Sequence, residues 1–285
     1  MPLDYNLIKN WTFPDVVQEY TVKDSILYAL GIGLGQDPLD ENQLQFVYEK
    51  NIKAFPTMAV VLGYPGFWMQ DPAAGITWVK LVHGEQRTTI HQSLPASGKL
   101  TGKIRVSHVI DKGADKGALV ITERKLYDEA GTLLATIEQT TFCRADGGFG
   151  ISDEAPPSLP KVPETAPDQV CELPILPQAA ILYRLNADPN PLHIDPAVAS
   201  AAGYPQPILH GLCTYGVAAH AIMRTFCDYD PARLVRFDTR FSAPVYPGET
   251  LVCEMWKRNE HEIQFQAKVK ERNIIVLSNG FAEIK

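Results

Sequence analysis

No stretch of the 285-residue chain approaches the roughly 20 consecutive apolar residues needed to cross a bilayer, so a membrane protein is not expected. Basic residues are not in excess either. The 26 Lys and Arg stand against 33 Asp and Glu, and the formal net charge of −7 lacks the electrostatic footprint of a nucleic-acid binder. At most a local basic patch remains for the phosphates of a small molecule. Cysteines are few: Cys143, Cys171, Cys213, Cys227 and Cys253 are scattered without close pairs. That spacing suits neither a disulfide framework nor a zinc site and fits a reducing compartment. The opening residues, MPLDYNLIKN, lack the basic start and apolar run of a secretory signal, and the final Ala282, Glu283, Ile284 and Lys285 form no SKL-type address. A cytoplasmic protein acting on a small molecule is the expectation.

What is present is ordinary for a globular protein, at 45% hydrophobic and 21% charged residues, and the length suggests two packed units. The segment from Gly147 to Pro177 concentrates proline, glycine and acidic residues without helical or strand periodicity, which reads as a linker. It divides the chain into residues 1–149, a linker at 150–177, and residues 178–285. In the second unit, Glu249 to Lys257, Glu262 to Lys270 and Ile274 to Ile284 read as consecutive antiparallel strands. The first unit repeats this grammar in KLTGKIRVSHVIDKG, ALVITERKLYDEAG and LLATIEQTTFCR. Before the second meander, Leu209 to Phe226 has an apolar face at approximately helical spacing. The matching place in the first unit is interrupted by Gly63, Pro65, Gly66 and Pro72, so only a short helix fits there.

The chemistry concentrates in YRLNADPNPLHIDP, Tyr183 to Pro196, where Pro189 and Pro191 prevent a regular helix. A rigid loop of this kind holds Asp188, Asn190 and His193 in fixed directions, as proton transfer requires. The bland alternative is that Asp188 and Asn190 make turn hydrogen bonds while His193 merely packs. Downstream, PQPILHGLCTYG puts Gly211 at the start of the long helix, where free N–H groups and partial positive charge can stabilise an oxyanion. Carboxylate, imidazole and oxyanion donor together describe proton chemistry beside a carbonyl without naming the reaction. His83 and Glu85 read as structural or pocket-lining, His210 as a support beside Gly211, and His220 as a core or interface residue. His193 and Asp195 without further ligands make a poor metal site.

YRLNADPNPLHIDP followed by PILHGLCTYG resembles the MaoC-like, type 2 (R-specific) enoyl-CoA hydratases. The resemblance extends through SILYALGIGLG, FVYE, LVHGEQ, LPASGKL, VIDKG, GGFG and PVYPGETLVCEMWK, in that order. It implies an α+β double hot-dog fold, each half an antiparallel sheet around a helix, with the N-terminal helix shortened. It further implies Asp188 and His193 as the catalytic pair, Asn190 as a positioning residue and the Gly211 N–H as oxyanion donor. The substrate would be an acyl-CoA thioester, hydrated from the trans-2-enoyl form to the (3R)-3-hydroxyacyl form. No cofactor or metal is expected, because coenzyme A is part of the substrate, and a homodimer is expected. In that setting the first half accommodates substrate and the second carries catalysis. A shortened first helix would leave room for a long acyl tail, with Phe67, Trp68 and Met69 as candidate lining residues. A hot-dog thioesterase and a non-catalytic acyl-CoA-binding protein are the alternatives. One departure stands out, since the family places Gly before the catalytic Asp and a bulky residue after it, where this chain has Ala187 and Pro189.

Overall fold

The computed structural model describes residues 2–186 and 188–285. Strands β1 (Val16–Tyr20), β2 (Leu81–Ile90), β3 (Gly98–Asp111), β4 (Ala118–Asp128) and β5 (Leu133–Cys143) belong to the first half. Strands β6 (Gln169–Pro174), β7 (Leu234–Phe241), β8 (Thr250–Lys257), β9 (Glu262–Val269) and β10 (Ile274–Ile284) belong to the second. All join one antiparallel ten-stranded sheet in the order β1-β3-β4-β5-β2-β7-β10-β9-β8-β6. Both halves have the same internal order, with the first strand at the outer edge, a three-strand meander next, and the second strand at the centre. The halves meet where β2 pairs with β7, Glu85 to Thr89 against Arg240 to Arg236. The double hot-dog architecture and both meanders therefore stand as expected.

Among the described residues six α-helices accompany the sheet: α1 (Tyr5–Lys9), α2 (Val22–Gly31), α3 (Glu41–Leu44), α4 (Ala179–Tyr183), α5 (Pro196–Ala201) and α6 (Gly211–Phe226). The long helix is α6, and every residue from Cys213 to Met223 is buried, so only its two ends reach solvent. The sheet covers one side and α2 packs on another. A Cβ on Gly216 would lie 2.4 Å from an Ile32 methyl and 3.1 Å from the Tyr28 hydroxyl, so this close approach uses the missing side chain. Helix α2 is absent from the sequence expectations. Its start signal was nevertheless there, a Thr–x–x–Asp capping pattern in which the Asp24 carboxylate accepts the Thr21 N–H and hydroxyl, each at 2.7 Å.

In place of a long helix in the first half, Pro56–Val61 forms a 3₁₀ turn, followed by short turns at Trp68–Gln70 and Pro72–Ala74. The helix is shortened as anticipated, yet the vacated volume is not simply open. Trp68 packs on Trp11 and Phe13, with ring centroids 5.2 Å apart in each pair, and Met69 is buried in the same satellite core. Phe67 lies on the surface, 47% exposed, against Trp78. Trp68 and Met69 thus serve packing, because the N-terminal segment folds back and supplies aromatic partners.

Residues 150–168 form no regular element, but they cross the sheet as a strap, its carbonyls bonded by side chains from the strands. Arg87 donates to the Pro157 carbonyl, Asn279 to Leu159, Gln264 to Lys161 and Trp256 to Thr165. The stretch read as linker also ends in a strand, since Gln169–Pro174 pairs with β8 as the sheet edge. The VIDKG and GGFG segments explain one another. The Asp111 carboxylate accepts the N–H groups of Gly113, Gly148 and Gly150 at 2.8, 2.8 and 2.7 Å, which holds its pKa below the usual value.

Candidate active site

The loop after α4 is built from side chains that bond to their own backbone. Asp188 Oδ1 accepts the Asn190 N–H at 3.3 Å, and Asn190 Oδ1 accepts the Leu192 N–H at 3.0 Å. Asn190 thereby caps a 3₁₀ turn at Pro191–His193, whose first position proline suits. Asp195 then caps α5, with Pro196 at its first position, which accounts for Asp195 without any ligand role. The turn hydrogen bonds of the bland reading do exist. Their consequence is that a single short turn fixes the direction of His193. Ala187 lies outside the described residues.

His193 is only 8% exposed, and its Nδ1 donates to the Ile208 carbonyl at 2.8 Å. That bond selects the tautomer whose Nε2 is free to accept a proton. Burial lowers the His193 pKa below 6.5, although the Ile208 bond and the Asp188 charge act in the opposite direction. The imidazole is therefore neutral at pH 7. If it must accept a proton in the hydration direction, the acid limb of kcat/KM will lie below pH 6.5, because protonation that removes the acceptor is deferred to lower pH. A pH–rate profile checks this, and a limb at or above 6.5 contradicts it.

His210, read as a support, stacks on His193 with ring centroids 3.7 Å apart and planes at 28°. Its Nε2 donates to the Asp188 carbonyl at 3.2 Å, so one ring braces both members of the pair. Burial, followed by the neighbouring His193, pushes its pKa down to about 3. Ligand atoms of Asp188, His193 and His210 lie within 4.8 Å of one another. A metal is nevertheless a poor fit, since near-parallel stacked imidazoles aim their in-plane lone pairs side by side and not at a common tetrahedral centre.

Gly211 opens α6, and a Cβ there would stand 3.3 Å from the Phe241 ring. As the first helical residue it has no intrahelical acceptor, and among the described residues its N–H goes to no other main-chain carbonyl. Phe241 also packs against His83, with centroids 4.5 Å apart. His83 thus stands one ring behind the helix start, half-buried, its pKa lowered by desolvation to about 4. His220 is remote from these residues along α6 and bonds the Tyr229 hydroxyl at 2.9 Å, a core role.

Sequence reasoning missed the floor beneath this loop. Tyr183, fully buried, faces His210 at 5.1 Å and Tyr28 at 6.0 Å between ring centroids. Tyr28 in turn donates to Thr57 at 2.9 Å. Tyr28 and Thr57 come from the first half, so both halves support the loop that carries Asp188 and His193. Only the YALG spacing within α2 hinted at this, and no periodicity argument links it to Tyr183.

A carboxylate and a neutral imidazole on one braced loop, beside the start of a buried helix in a hot-dog half, define an acid/base enzyme of the hot-dog class. The chain belongs to the MaoC-like hydratase family: residues 158–279 match the MaoC like domain and residues 18–145 the MFE-2 hydratase 2 N-terminal domain. It is 40% identical to a peroxisomal enoyl-CoA hydratase 2 of Arabidopsis thaliana, across 95% of this chain and 92% of that protein. It is 36% identical to 3-hydroxyacyl-thioester dehydratase Y of Mycobacterium tuberculosis, across 99% of each. The crystal structure of a MaoC-like dehydratase from Phytophthora capsici superposes with a TM-score of 0.88 at 35% identity, covering 99% of both chains.

Proposed function

We propose that this protein is a hydro-lyase that reversibly hydrates trans-2-enoyl-CoA to (3R)-3-hydroxyacyl-CoA in fatty-acyl metabolism. The observation that carries the reading is the convergence of Asp188 and His193, within 4.8 Å, on a loop braced by His210 and adjoining the helix start at Gly211. The relatives named above as enoyl-CoA hydratase and thioester dehydratase support it in both directions. In hydration, the pair orients and deprotonates water for attack at C3 and delivers a proton to C2, while the Gly211 N–H stabilises charge on the thioester oxygen. Asn190 acts through the turn it caps. The second half carries this chemistry and the first accommodates the acyl group, with no metal or added cofactor taking part.

We place the enzyme in the cytoplasm as a homodimer. All five cysteines are buried as free thiols, in keeping with a reducing compartment.

The test is an assay of metal-free protein, with chelator present, on crotonyl-CoA and longer enoyl-CoAs. The conjugated thioester absorbance should fall and chiral analysis should return the 3R product. A mainly 3S product or a strict metal requirement overturns the assignment. Release of free thiol identifies a thioesterase instead, and tight binding without either signal identifies a binder.

A further inference from the structure

The approach to α6 is tied down residue by residue until Gly211. The Ile208 carbonyl accepts from His193 at 2.8 Å, the Leu209 N–H donates to the Val245 carbonyl at 2.8 Å, and the His210 ring donates to the Asp188 carbonyl at 3.2 Å. Gly211 has no such bond among the described residues, and its N–H is left free at the helix start. What touches Gly211 is a side chain. The three atoms nearest to the place of its missing Cβ all belong to the Phe241 ring, at 3.3, 3.4 and 3.7 Å. Gly211 is not among the glycines of positive φ, so its backbone conformation does not call for glycine. The Phe241 ring does.

That ring is not free to retreat. Phe241 is the last residue of β7, a central strand of the sheet, and pairs with Leu277 of β10. From the first half, His83 of β2 packs on the ring with centroids 4.5 Å apart. This contact has a local origin. The pairing of β2 with β5 shifts between His83 and Glu85, so Gly84 is an extra residue, and a bulge of this kind re-aims the side chains next to it. Desolvation lowers the His83 pKa to about 4, so a neutral imidazole backs the ring at pH 7. Phe241 is therefore held between a strand of the first half and the helix start of the second. An oxyanion donor works at roughly 2.7–3.1 Å from the developing charge, so a displacement of the helix start by a few tenths of an ångström matters.

We propose that Phe241, backed by His83, is a positioning residue for the hydration: its ring seats the Gly211 backbone so that the free N–H meets the thioester oxygen. This rests on the hydratase reading, with Gly211 as the oxyanion donor. The glycine is then required because Phe241 occupies the place of a side chain, and not because the substrate does. The first half takes an indirect part in the chemistry through this one ring.

The experiment measures kcat and KM for crotonyl-CoA and for the ten-carbon trans-2-enoyl-CoA with wild-type protein, Gly211→Ala, Phe241→Leu and the double variant, each below its own melting temperature. Gly211→Ala should lower kcat by about tenfold or more with KM within about twofold of wild type, because an interaction made only in the transition state appears in kcat. Phe241→Leu withdraws the ring edge and should lower kcat in the same manner. In the double variant the alanine methyl takes the vacated place, so kcat should exceed that of Gly211→Ala alone by about threefold or more, a coupling of the size found between residues in contact. The losses should be equal for the two substrates, since the thioester oxygen is common to both. Single losses that simply multiply in the double variant overturn the proposal, as does wild-type kcat in Gly211→Ala. A loss confined to the ten-carbon substrate, or a raised KM at unchanged kcat, also overturns it, because the ring would then bind the acyl chain. If Phe241→Leu does not accumulate as folded protein, Phe241→Met in the same cycle gives the same comparison. Wild-type protein that hydrates neither enoyl-CoA would instead defeat the hydratase reading, so the two failures are distinguishable.

Discussion

Asp188→Asn and His193→Ala are each expected to lower kcat by at least about a hundredfold, the lower end for a positioned acid or base. The fold should persist. Asn at 188 retains an oxygen able to accept the Asn190 N–H, and the turn around His193 is capped by Asn190 and Pro191 rather than by the imidazole. Loss of the His193 ring removes a stacking partner of His210 and the bond to Ile208, so a modest fall in melting temperature is compatible with the assignment. The double variant should lose less than the product of the single losses, because residues working as one unit are not additive. Steady-state kinetics with a thermal melt on each variant decide the matter. A single variant with near wild-type turnover and unchanged melting shows that its residue is not part of the acid/base pair.

Gly147→Ala should produce the largest stability loss from a single methyl group. The added Cβ would fall 2.3 Å from the Gly117 carbonyl oxygen and 2.4 Å from that of Gly113. Both are backbone atoms, which cannot swing aside as the end of a flexible side chain can. Relief requires the Gly113–Gly117 turn to separate from the Gly147–Gly150 segment, which pulls apart the three N–H bonds gathered by Asp111. Overpacking of this kind costs about 2 kcal/mol or more, well above the few tenths gained from restricting glycine in the unfolded chain. Urea denaturation should show a lower midpoint at an unchanged slope. An unaltered midpoint would mean that the loop accommodates a side chain and that GGFG is not constrained as described.

The contrast between α6 and α2 shows which parts of the fold were legible. Leu209 to Phe226 has a long apolar content without proline, so the sequence marked a helix there, and Gly211–Phe226 is helical. Its burial on every side was not legible, because an apolar stripe indicates one neighbour and not that α2 of the other half supplies a second. Helix α2 is amphipathic over only ten residues, and the capping pattern at Thr21 was the one local sign of it. Strands β1, β2, β6 and β7 escaped because each lies apart in sequence from its sheet neighbours, with no hairpin to announce the pairing. At the site, Asp188, Asn190 and His193 were legible because prolines and turn formers crowd the six residues from Asp188 to His193. The roles of Tyr28, Thr57 and Tyr183 were not, since long-range packing alone brings them beneath that loop.

The sequence by itself determined the local matters: two strand meanders, a long helix, a proline-stiffened loop carrying an acid, an amide and an imidazole, and a glycine at a helix start. Each depends on periodicity or turn chemistry within about a dozen residues. Only the tertiary structure decided that His210 stacks on His193 while holding the Asp188 carbonyl, leaving His193 Nε2 as the free nitrogen. It alone also decided that the space of the shortened helix is packed by Trp11, Phe13 and Trp68. The physical reason is common to these cases. Direction, tautomer and desolvation depend on which side chains converge from distant parts of the chain, and no local pattern encodes that convergence.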